Sequence, residues 1–176
     1  MGTGKNQPIM ISSYFKYTVM FILLVLIQIL ILNQVQFSGY INPFMYILFI
    51  LLLPVNTPAY ALLILAFLIG ITIDLFSNSM GIHASASVFV AYIRPAVIRI
   101  ISVRGDEIDN FPGLLQNKFS WFLTYTSIIV AIHHFILFYL EVFSFSGFFN
   151  TLLRVILSSI FSIFIIVLSQ FIIFRK

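Results

Sequence analysis

The sequence predicts an all-α polytopic membrane protein, a single domain over residues 1–176 built as a bundle of six transmembrane helices. Three observations carry that class. Hydrophobic residues make up 61% of the chain and charged residues 8%, with a mean hydropathy of +1.13, so a folded surface could not be covered with enough polar groups for a soluble domain. The apolar runs are continuous, without period-2 alternation; because lipid leaves no exposed backbone N–H or C=O satisfied, this favours helices over a closed barrel. Lys and Arg, finally, gather in alternate loops.

Runs near the ~20 residues that span a bilayer lie at 14–32, 40–55, 59–74, 81–101, 119–142 and 149–174. The first follows a polar tail, ends in "ILNQVQ" and has no small-residue cleavage site, so it is expected to stay as a helix rather than leave as a signal peptide. The second, "YINPFMYILFILLLP", is short and bracketed by Pro43 and Pro54. A tilted span, a thin patch of membrane and a re-entrant hairpin all fit it. The chain has no cysteine, which excludes disulfides and thiolate chemistry.

Lys5 and Lys16 precede the first span, Arg99, Arg104 and Lys118 fill the loop after the fourth, and Arg175 and Lys176 follow the sixth. With six crossings all of these fall on one side, which the positive-inside rule makes the cytoplasm, with both termini. Dropping the second span would move the amino-terminal lysines outside. The net charge of +4 then reflects basic residues meeting anionic headgroups of membrane lipids, at about 1 kcal/mol each, and calls for no nucleic acid. Between Arg94 and Lys118 the chain is expected to bend at Pro95, which cannot donate to the carbonyl one turn earlier, and to run along the interface into an acidic run of Asp106, Glu107 and Asp109. This is either a solvated loop or a docking surface for a cytoplasmic partner.

Polar groups inside spans are costly and mark candidate sites. Arg94 near the end of the fourth span reads as a snorkelling interface anchor. His133 and His134 point about 100° apart on a helix, which suits neutral histidines hydrogen-bonded between helices better than ligands of one metal. Glu141 and Arg154 flank the turn "VFSFSGFFN" and are expected to pair across an antiparallel hairpin. Paired intramembrane carboxylates, a Gly-rich phosphate loop and a nucleophile beside a base are all missing from the sequence, so no catalysis and no cofactor are expected.

The most informative stretch is "GITIDLFSNSMGIHASA", Gly70 to Ala86. Asp74 ends the third span against an unfavourable helix dipole and needs a cation or N–H donors, with His83 the nearest candidate. "SNS" supplies a turn and a cap. Ala84, Ser87 and Ala91 form a small-residue stripe that packs either within the monomer or against a partner helix.

The ordered set Gly70, Asp74, Ser77, Gly81, His83, Ala84, Ala91, Tyr92 and Arg94 resembles the signature of the rod shape-determining MreD family, in which G-x-x-x-D leads through a turn into G-x-H-A and an A-Y-x-R-like helix. "NPFMYILFILLLP" and "RPAVIRI" resemble its Bacteroidota-type members, and Ser85 departs from the aliphatic residue that often follows the His-Ala pair. The resemblance implies a non-enzymatic scaffold of the inner membrane, part of the cell-elongation machinery with MreC, MreB, RodA and penicillin-binding protein 2. It also implies a fold similar to the substrate-binding subunits of energy-coupling-factor vitamin transporters. Such a subunit is the competing reading, and it requires an outward pocket with convergent polar groups, for which Asn33, Gln34, Gln36, Asn42, Asp74, Asn78, His83 and Glu141 are available. A lipid-modifying enzyme or a small channel would call for intramembrane carboxylates or a polar helix face, and neither is evident.

Overall fold

The computed structural model describes residues 7–34, 41–102, 110–143 and 147–173. Lys5, Gln36, Arg104, Asp106, Glu107, Asp109, Arg175 and Lys176 lie outside the described residues. Among the described residues six α-helices follow one another: α1 (Gln7–Leu30), α2 (Ile47–Leu52), α3 (Ala59–Ser77), α4 (Ile82–Ile101), α5 (Phe119–Val142) and α6 (Phe148–Ile173). Five of them are long and apolar enough to cross a membrane, and α2 is not. The fold is a helical membrane bundle.

The long helices pack as successive antiparallel neighbours, α3 on α4, α4 on α5 and α5 on α6, with α1 laid against α3. Large apolar side chains such as Phe15, Ile64, Leu75, Ile100, Phe149 and Phe164 stand exposed around the outside, as suits a surface dissolved in lipid rather than water.

The second crossing departs from the helix expected over 40–55. Only six residues are helical; the stretch before them, from Ile41 to Met45, is not. Asn42 precedes a proline, which biases it towards an extended backbone, and Pro43 has no N–H to offer. At the other end Leu53 precedes Pro54 and leaves the helix with ψ 145°. Tyr46 is already helical in backbone (φ −60°, ψ −22°), and the N–H groups of Leu48 and Phe49 close the first turn on the carbonyls of Met45 and Tyr46. The segment runs as a non-helical stretch and a short helix through the middle of the bundle, where Tyr46 to Leu51 are buried. It starts beside Ser158 of α6 and ends with Val55 N–H on the carbonyl of Asn110, in the segment between α4 and α5.

Unwound backbone at this depth needs partners for each polar group. Two helices supply partners for four of them. Ser158 Oγ accepts from Asn42 N at 3.0 Å and Ser162 Oγ from Phe44 N at 2.9 Å, both from α6. From α1, Gln28 Oε1 accepts from Met45 N at 2.8 Å while its Nε2 donates to the Pro43 carbonyl at 3.0 Å. The second Nε2 hydrogen reaches Asn33 Oδ1, and Asn33 in turn donates to Ser77 Oγ at the end of α3.

The bend expected at Pro95 does not end the helix: α4 runs on to Ile101. A proline inside a membrane helix is tolerated where neighbouring groups take over the freed carbonyl.

Candidate functional site

The turn between α3 and α4 is built on one carboxylate. α3 ends on Asn78 in the left-handed conformation (φ 53°), with its N–H on the Asp74 carbonyl, and α4 starts from Gly81 at φ 79°. Asp74 itself sits one turn inside α3, buried, and caps the next helix: Oδ2 accepts from Ala84 N at 2.8 Å and Oδ1 from His83 N at 3.1 Å. The cap thus comes from the preceding helix, and the serines of "SNS" do not supply it. Ser79 Oγ instead donates to Asp74 Oδ1 at 2.6 Å, and His83 Nδ1 lies 3.0 Å from the same oxygen. Because a carboxylate only accepts, its position places the ring proton of His83 on Nδ1. The negative charge meets the N-terminal end of α4, where the helix dipole favours it.

Below this turn the two helices touch. A Cβ on Gly70 would lie 2.5 Å from the Ala84 Cα, so glycine is what allows the backbones to approach. Ala84, Ser87 and Ala91 are all buried; the small-residue stripe packs inside the bundle. Tyr92, by contrast, is 73% exposed, on the same outward face as Ser85 and Phe89.

Arg94 is the main correction to the sequence reading. It does not snorkel: only 1% of it is exposed. Its Nε donates to Tyr125 Oη at 2.7 Å, Nη2 donates to the Leu53 carbonyl and Nη1 approaches the Pro54 carbonyl at 3.5 Å. Tyr125 Oη then donates to the Leu51 carbonyl at 3.2 Å. A helix that stops at a proline leaves its last carbonyls without N–H partners, and Arg94 with Tyr125 answers that need for α2. The buried charge is held by the partial negative charge of those carbonyls.

All three histidines of the chain surround the unwound crossing. Phe44 lies 5.3 Å from the ring of His83 and 5.3 Å from that of His134, and Tyr46 stands 5.4 Å from His133. The two neighbours on α5 point different ways. His133 Nε2 bonds Tyr46 Oη at 2.7 Å, whereas His134 bonds Ser162 Oγ at 3.0 Å through Nε2 and the Val130 carbonyl through Nδ1. Both are interhelical hydrogen-bonding histidines.

At the end away from the basic loop, Glu141 and Arg154 pair at 3.1 and 3.2 Å, and the guanidinium lies 4.3 Å over the Phe138 ring. With its amide turned so that both ends are satisfied, Asn42 accepts from Arg154 at 2.6 Å. The pair thereby fixes the entry of the unwound segment. A cavity of about 640 Å³ opens here, lined by Asn33, Asn42, Ser79, His83, Glu141 and Arg154 among others. At the opposite end Arg99 and Lys118 are exposed.

Sequence reasoning missed Gln28, Tyr125, Ser158 and Ser162. A glutamine inside an apolar run was the available signal, since an intramembrane amide needs partners as much as a charge does. Comparison with protein-family profiles, with curated proteins and with solved structures found no match for this chain.

Proposed function

We propose that the chain is a non-enzymatic membrane scaffold of the MreD type, holding MreC and helping to position MreB, RodA and penicillin-binding protein 2 during bacterial cell elongation. In this reading it resides in the inner membrane with both termini cytoplasmic. The observation that carries the proposal is how the motif residues are used. Asp74, His83, Gly70 and Arg94, which form the resemblance, lock α3 to α4 and tie α4 to the broken crossing. A motif whose polar atoms are engaged with its own backbone serves to fix a shape. The outward face of α4, with Ser85, Phe89 and Tyr92, is then the surface offered to the MreC transmembrane helix. The exposed Arg99 and Lys118 face the cytoplasmic filament.

The cavity of about 640 Å³ beside His83 and Glu141 favours a second reading, a substrate-binding subunit of a vitamin transporter. Its size and convergent polar groups suit a small polar solute. Purification of a tagged copy from native membranes in mild detergent, with mass spectrometry of what accompanies it, separates the two. MreC with RodA and penicillin-binding protein 2 supports the scaffold. Recovery of transporter ATPases in their place replaces it with the solute-binding subunit.

A further inference from the structure

A second hollow, of about 380 Å³, lies on the other flank of the broken crossing. Its walls are Lys16, Met20, Leu24 and Ile27 of α1 and Leu48 and Leu52 of α2. From Lys16 to Ile27 it runs about 16 Å along α1 at 1.5 Å per residue, which is about the depth of one leaflet, half of a ~30 Å core. A partner's transmembrane helix needs the whole thickness. One acyl chain needs only half.

The polar groups stand at the end nearest the basic loop. Lys16 is exposed on α1 and is the cation at this end of the hollow. Gln170, near the end of α6, is wholly buried and lines the same hollow, and neither its Oε1 nor its Nε2 has a partner among the described residues. Gln116 also lines it. An amide buried without partners is costly, about 1–3 kcal/mol for each group left unpaired, unless something enters to bond it. At that depth a phospholipid carries its ester carbonyls, and one step outward its phosphate.

We propose that this hollow is a binding site for an anionic phospholipid of the leaflet at the basic end. One acyl chain lies along Met20, Leu24 and Leu48, the glycerol ester region meets the Gln170 amide and the phosphate meets Lys16. The lipid fills the hollow between α1 and α2, so its occupancy stabilises the fold.

The test uses the purified full-length protein in delipidating detergent, with thermal midpoints measured while phosphatidylglycerol or phosphatidylcholine is titrated in. Phosphatidylglycerol is expected to raise the midpoint at lower concentration than phosphatidylcholine. Lys16→Gln should weaken the phosphatidylglycerol response about fivefold, the equivalent of roughly 1 kcal/mol for one lysine at an anionic surface, and bring the two lipids level. Gln170→Leu should lose most of the lipid-induced shift even though it removes an unpaired amide, and Met20→Trp should abolish the response to both lipids by filling the hollow. Should Met20→Trp fail to fold, the first two variants still decide the matter, because the readout is the lipid-dependent shift and not the midpoint itself. Equal responses to both lipids in the wild type, or an unchanged shift in Lys16→Gln and Gln170→Leu, would overturn the site.

Discussion

Arg94 Nε and Tyr125 Oη lie 2.7 Å apart in the interior of the bundle, and between them they reach the carbonyls of Leu51, Leu53 and Pro54. The contact joins α4 and α5 to the end of α2, so three helices meet at one guanidinium. Replacing Arg94 by Ala leaves the Leu53 carbonyl unpaired, at about 1–3 kcal/mol, while the Pro54 carbonyl keeps the N–H and Oγ1 of Thr57. A large fall in thermal midpoint is expected in detergent, with Tyr125→Phe falling less. Arg94→Lys should recover only part, since an ammonium lacks the planar fork that reaches a phenol and two carbonyls at once. Equal stability of Arg94→Ala and wild type would count against this role.

Asp74→Ala should destabilise by about 1–3 kcal/mol, because the N–H groups of His83 and Ala84 lose their acceptor at the start of α4. Asp74→Asn keeps one acceptor oxygen and should fall between. The measurement is the thermal midpoint of each variant beside Ser79→Ala, which removes one donor to Asp74 and should cost least.

Two glycines in the same hairpin should fail for different reasons. Gly70→Ala drives a Cβ against the Ala84 backbone, overpacking that costs about 1–3 kcal/mol. Gly81 has open space around it but a φ of 79°, so Gly81→Ala should cost about 1–2 kcal/mol through backbone strain alone. Gly81→Asn, which tolerates that region, should restore part of the loss, while Gly70→Asn should be worse than Gly70→Ala.

Gln28→Leu should be among the most damaging polar-to-apolar changes in the chain. It strips partners from Met45 N and the Pro43 carbonyl together, about 1–3 kcal/mol for each buried group. Ser162→Ala should act in the same direction through Phe44 N and His134. Faster hydrogen exchange at the amides of Phe44 and Met45, confined to that stretch, would be the signature.

The long helices were legible because each is a continuous apolar run of near-bilayer length, and α5 in particular matches its expected bounds. The pairing of Asp74 with donors at the start of α4 was also readable, since a carboxylate at a helix end must find them. The second crossing was not. Its apolar content is that of a span, and nothing in hydropathy tells an unwound backbone from a helical one. Only its flanking prolines hinted at this, and the partners that permit it come from Gln28, Ser158 and Ser162, far away in sequence. Arg94 was misplaced for the same reason: near a helix end an arginine reaches the interface unless something buried needs it, and the open carbonyls of α2 do.

That the second segment traverses the membrane as a half-unwound crossing is the claim on which the rest depends. The chain has no native cysteine, so single cysteines report position cleanly. Gln34→Cys and Asn56→Cys, in intact cells or sealed vesicles of known orientation, would be treated with a membrane-impermeant maleimide. Labelling of the two from opposite sides is the expected result. Labelling of both from the same side would make the segment a re-entrant loop and contradict the crossing.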